Sequence, residues 1–108
     1  AFGQFDSLLS VGTSSTAVLV EDAASACAVS ATEQLTGVAL LGTNLSNQQR
    51  LELMGYKKLV IALDKDASRK ALKLHEALRG AIDTKLIFLQ RDFKYLKANE
   101  ILERVNEG

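Results

Sequence analysis

The sequence predicts an α/β fold of the doubly wound, Rossmann-like class: a four-stranded parallel sheet with helices on both faces. Two observations carry this reading. Short apolar runs such as "TAVLV" (Thr16–Val20) and "KLVIALD" (Lys58–Asp64) lack the polar alternation of a half-solvated strand, as strands covered on both faces do. Stretches with apolar residues at helical spacing follow each run, so the order reads β-α four times over. Right-handed crossovers then bring every strand's carboxyl end to one edge, where ligands of such sheets bind. Counted from Thr16, the expected strand order is 2-1-3-4, with the first and third strands side by side.

Residues 1–15 are poorly patterned, and residues 16–108 carry the predicted domain. With Ala1 rather than Met at the start, a domain cut from a longer protein is expected. After the first strand, Ala24, Cys27, Ala28, Ala31 and Leu35 recur at helical spacing, with Gly37 as a stop. The spacing places the Cys27 thiol in the core face of that helix. "GVALLG" at 37–42 reads as the second strand. Ser46 and Gln49 have capping-box spacing and open a helix that Gly55 closes. After the third strand, Ala67, Ala71, Leu74 and Leu78 line one helix face, and Gly80 stands just past its end. "KLIFLQ" at 85–90 is the fourth strand, and Ala98, Ile101, Leu102 and Val105 mark the last helix.

The bulk composition excludes several classes. A chain of 108 residues supports one modest core. Thirteen basic residues cancel thirteen acidic ones, so no global field marks a nucleic-acid binder, although a local patch remains possible. The single cysteine excludes an intrachain disulfide framework and a multi-cysteine zinc site, and agrees with a reducing, cytoplasmic setting. No apolar run approaches the roughly 18 residues of a membrane span.

Three carboxylates reach the predicted ligand edge. Glu21 ends the first strand in "VLVED"; Asp64 ends the third, with Asp66 two residues on. In extended backbone, residues two apart point the same way, so both aspartates are expected to face one pocket. Neighbouring strands lie about 4.8 Å apart, which brings Glu21 within reach. Such a cluster raises its own pKa values unless a divalent cation neutralises it, and hard oxygen donors without His or Cys favour Mg²⁺ or Mn²⁺. The plainer reading is that edge acids cap helices, Asp66 as the N-cap of the helix it precedes.

At these residues the chain resembles the Toprim domain of bacterial and phage primases, topoisomerases and some nucleases. That family carries a glutamate after its first strand and Asp-x-Asp after its third, matching Glu21, Asp64 and Asp66. The stretch "VALLGTNLSNQQRLELMGYKKLVIALDKDASRKALKL" looks like the primase branch. Leu41, Gly42 and Thr43 fit its turn, and Ala67, Ser68, Arg69, Lys70 and Ala71 fit its helix entry. The likeness covers the chain from Thr16 onward. Asp22 and Ser25 stand where the family has Gly and often Asp. Ser68 replaces a common glycine, and Asp92 and Glu100 stand in for a further acidic pair. These departures fit a phage or mobile-element primase better than a bacterial housekeeping one.

The resemblance implies nucleotidyl or phosphoryl transfer assisted by Mg²⁺ or Mn²⁺, serving RNA primer synthesis in DNA replication. Asp64 and Asp66 would hold metal, with Glu21 a further ligand or the general acid/base. Nucleoside triphosphates, a single-stranded DNA template, and other primase domains or a replicative helicase are the implied partners. The chain alone is expected to make no primer. A Toprim nuclease or topoisomerase fragment, or a Toprim-like interaction module without catalysis, are the alternatives.

Accessory candidates follow from position. Asp22 and Asp92 are possible further ligands; Asp22 equally suits the positive end of a helix. Lys65, Arg69 and Lys70, with Lys73 less so, are candidate phosphate contacts, against a solvated helix face with i,i+4 pairing to Glu76 and its neighbours. Lys94 and Lys97 follow the fourth strand on the same edge. His75 is expected to be a half-buried packing residue.

Overall fold

The computed structural model of the chain describes residues 9–40, 47–89 and 93–107. Strands β1 (Leu9–Val11), β2 (Thr16–Val20), β3 (Thr36–Ala39), β4 (Lys58–Asp64) and β5 (Asp83–Leu89) form one sheet ordered β1-β3-β2-β4-β5. Pairing is parallel between β2 and β3, β2 and β4, and β4 and β5; β1 runs antiparallel to β3, with Leu9 opposite Ala39. The expected sheet of four strands, all parallel, is therefore corrected to five, of which the edge strand β1 is antiparallel. "LSV" is too short to show a period, so nothing in the weakly patterned 1–15 announces it.

Helices α1 (Ala23–Ser30), α2 (Asn47–Leu53), α3 (Ser68–Leu78) and α4 (Ala98–Glu107) divide between the two faces. Strand alternation makes that division. Val18 and Val20 of β2, Val60 and Ala62 of β4, and Ile87 and Leu89 of β5 pack with Ala26 and Val29 of α1 and Ile101 and Val105 of α4. Ala17 and Leu19, with Leu59, Ile61 and Leu63, pack on the other side with Leu53 of α2 and Ala71, Leu74 and Leu78 of α3. Each fully buried Leu or Ile contributes roughly 1.5–3 kcal/mol through desolvation, so β4, buried on both faces, is the core's spine.

Two helices differ from expectation. Helix α1 buries Ser25, Ala26 and Val29, while Ala24, Cys27 and Ala31 are exposed. The Cys27 thiol is thus on the surface, not in the core. The helix stops at Ser30 because the Thr32 hydroxyl donates to the Val29 carbonyl at 2.8 Å and Glu33 takes a left-handed φ of 63°. Gly37, expected as that stop, lies inside β3. Its role is close approach: a Cβ there would collide with the backbone of Ala26. Only glycine lets α1 sit so near the sheet. In α4, Ala98 is exposed, and Ile101 and Val105 carry the burial.

Side chains of α4 and β5 fasten the last helix at its far end. Arg104 Nη2 donates to the Phe88 carbonyl at 2.7 Å, and Lys85 Nζ to the Val105 carbonyl at 2.6 Å. The second bond satisfies a carbonyl near the helix's C-terminus, where intrahelical partners run out. Among the described residues no helix is long and apolar enough to cross a membrane.

Candidate functional site

On the carboxyl edge of the sheet, Glu21 and the segment Asp64 to Asp66 stand at the ends of neighbouring strands. Strands β2 and β4 are adjacent and parallel, with Leu19 level with Ile61. Glu21 follows the end of β2 and is exposed; Asp64 closes β4 and is half-buried.

Of the three acids, only Asp64 lies within a strand and is oriented by its pleat. Asp64 follows Val60 and Ala62 onto the face covered by α1 and α4. Glu21 lies past the last residue of β2, in a bend, so strand alternation does not orient it. Asp66 does not continue the strand. Lys65–Ala67 is a single 3-10 turn, so the two-residue repeat ends at Asp64, and the two aspartates are not placed on one side by strand geometry. Asp66 is exposed. Ala67, not Asp66, occupies the N-cap of α3, without a side-chain cap hydrogen bond.

Among the described residues, no three His, Cys, Asp or Glu side chains form a group placed to hold a metal ion. The donor set of Glu21, Asp64 and Asp66 still has the right chemistry for a hard cation: carboxylate oxygens on one edge, two of the three side chains exposed and able to turn.

Asp22 has a defined structural task. Its backbone is extended (φ −134°, ψ 162°) and its Oδ1 accepts from the Ser25 amide at 2.7 Å, capping α1. Its Oδ2 lies 3.3 Å from Lys94 Nζ. Partial burial pushes the carboxyl up, but the Ser25 amide and hydroxyl and the Lys94 ammonium outweigh it and hold Asp22 below its ordinary value. The cap was readable locally, as Asp-x-x-Ser ahead of a helix. The lysine, 72 positions away, left no such signal.

The remaining candidates are dispersed. Arg69 and Lys73 are exposed on α3 and Lys70 is half-buried. Arg79 meets Glu76 at 3.3 Å, one turn on along the same helix. His75 is half-buried on the same helix. Lys65 has its backbone in the 3-10 turn, and Asp92 and the Leu41, Gly42, Thr43 turn lie outside the described residues. Sequence reasoning passed over Tyr95. It ends a second 3-10 turn, Phe93–Tyr95, that follows β5 and packs on α1. Comparison of the chain with protein-family models, with curated proteins and with solved structures yields no match.

Proposed function

We propose that the chain is a Toprim-like nucleotidyl-transfer domain of the primase branch, working with Mg²⁺ or Mn²⁺ on nucleoside triphosphates and a single-stranded DNA template. The observation that carries this reading is the parallel pairing of β2 with β4, which sets Glu21 and the Asp64–Lys65–Asp66 turn at neighbouring strand ends. Asp64, half-buried at the end of the most buried strand, is the fixed member. Glu21 and Asp66 are exposed, and on this reading their side chains turn toward Asp64 when the cation arrives. Bound there, the metal would neutralise triphosphate oxygens, a charge problem that polymerases and kinases also solve with cations. Arg69 is the candidate phosphate contact, exposed in the first turn of α3 just beyond Asp66.

The test is Mn²⁺ titration followed by water-proton relaxation, on the parent chain and on the Asp64→Asn/Asp66→Asn double variant. The expected result is saturable binding by the parent and its loss in the variant, with the fold unchanged by circular dichroism. Equal binding by both sinks the proposal.

A second reading, an interaction module without catalysis, is favoured by the ungathered carboxylates and by the engagement of Asp22 as a helix cap. It predicts no saturable Mn²⁺ binding, and loss of partner binding in Glu21→Gln at any metal concentration.

A further inference from the structure

We propose that Tyr95 is a base-stacking platform for single-stranded nucleic acid at the carboxyl edge of the sheet. The proposal rests on the nucleotidyl-transfer reading for the kind of partner, and on independent geometry for the residue.

Four large apolar or aromatic side chains are exposed among the described residues: Leu51, Met54, Leu72 and Tyr95. The first three are aliphatic and lie on α2, just after it, and on α3. Isolated aliphatic side chains on helix surfaces need no explanation. Tyr95 differs in place and in mounting. It stands in the connection that follows β5, on the edge that also carries Glu21 and Asp64, and is 67% exposed.

The mounting is rigid. Phe93, two residues earlier, is completely buried against the core under α1, and the Leu96 amide closes the turn onto the Phe93 carbonyl at 3.0 Å. Between these anchors, Lys94 Nζ lies 5.5 Å from the Tyr95 ring centroid and 3.3 Å from Asp22 Oδ2. The ammonium therefore ties the turn to the N-terminus of α1 while lying over the ring. The backbone that carries the ring is thus ordered before a flat partner binds, which lowers the cost of binding by that part.

Two lysines flank the ring, Lys94 and Lys97, and are the candidate phosphate contacts beside it. Lys94 offsets the Asp22 carboxylate that would otherwise repel a passing phosphate, and Lys97 is exposed two residues beyond the ring. The nearby Glu100 carboxylate accepts from the Lys97 amide at 2.9 Å and keeps its charge, so any attraction of phosphate rests on the two lysines alone. A ring with neighbouring cations is the arrangement by which single strands are held without sequence preference: bases stack, and lysines follow the backbone.

The chain has two tyrosines and no tryptophan, so the platform reports on itself. Tyr56→Phe removes only a 3.4 Å contact to the Ser10 hydroxyl and leaves Tyr95 as the single tyrosine emitter. Titrating this variant with a 15-mer of thymidylate at low salt is expected to quench Tyr95 emission along a saturable curve that weakens as salt rises. By anisotropy of a labelled oligonucleotide, Tyr95→Ala is expected to bind about 5- to 100-fold more weakly, the loss of one stacked base. Tyr95→Phe, which keeps the ring, is expected to bind like the parent. Unquenched emission overturns the proposal, and so does a Tyr95→Ala variant that binds as tightly as the parent. The two readings are separated on the parent and on Asp64→Asn/Asp66→Asn together: a parent that fails to bind Mn²⁺, or a double variant that binds it equally well, with Tyr95 quenched, removes the metal reading alone. Mn²⁺ binding with unquenched Tyr95 removes this one alone.

Discussion

Helices α3 and α1 lie on opposite faces of the same sheet and are held by different physics. Helix α3 is amphipathic: Ala71, Leu74 and Leu78 form a stripe against Leu59, Ile61 and Leu63, and charged residues occupy its outer side. Helix α1, "AASACAVS", is made of small residues apart from Val29, which it buries in the core. It is held by close backbone approach at Gly37, by the Asp22 cap and by the Lys94 tie. A helix packed through large side chains writes its buried face into its sequence. A helix packed through the absence of side chains does not, because alanine and serine serve on either face.

The contrast is broken most forcefully from the α3 side. Leu78→Ala removes a fully buried side chain and leaves a cavity; about 2–5 kcal/mol of stability should be lost, measured by urea unfolding. The counterpart on α1 adds atoms instead of removing them. Gly37→Ala forces a Cβ into the Ala26 backbone and should cost about 1–3 kcal/mol or more, although alanine is normally the milder residue in a strand. Unchanged stability in Gly37→Ala would show that α1 is free to shift outward, against the close approach described above.

Smaller effects sharpen the same comparison. Asp22→Ala should cost about 1 kcal/mol through the lost cap, whereas α3, whose N-cap Ala67 makes no side-chain bond, offers no equivalent loss. Because the Asp22 carboxyl is held below its ordinary value, its contribution is present above the ordinary aspartate range and is lost as pH falls through the lowered value. Acid titration of stability should show this loss in the parent. In Asp22→Asn, which can still cap but cannot ionise or attract Lys94, that part of the acid loss should be missing. Cys27→Ser should change stability by less than about 0.5 kcal/mol, since the thiol is on the surface. A larger loss would return Cys27 to the core.

The same distinction explains what the sequence disclosed. Strand β4 was legible to the residue, because five consecutive apolar residues between Lys58 and Asp64 have few other readings, and α3 followed from its stripe. Strand β1 was not, since three residues have no period and their partner is distant in the chain. Gly37 was read as punctuation although its work is steric and depends on a helix packed across it. At the candidate site, sequence spacing named the acids and their shared edge. It misjudged Asp66 by extending strand alternation into what is a 3-10 turn, and it could not place Lys94 on Asp22, a pairing that exists only once the strands are assembled.

The claim that matters most is that Glu21, Asp64 and Asp66 act together on a divalent cation. Paramagnetic broadening of backbone amide signals by substoichiometric Mn²⁺ tests it directly, because the effect maps the metal onto the chain. The account predicts broadening centred on both strand ends, Glu21 with Asp22 and Asp64 through Asp66, abolished in Asp64→Asn/Asp66→Asn. Broadening confined to one strand end, or centred on the acids of α4, would contradict it.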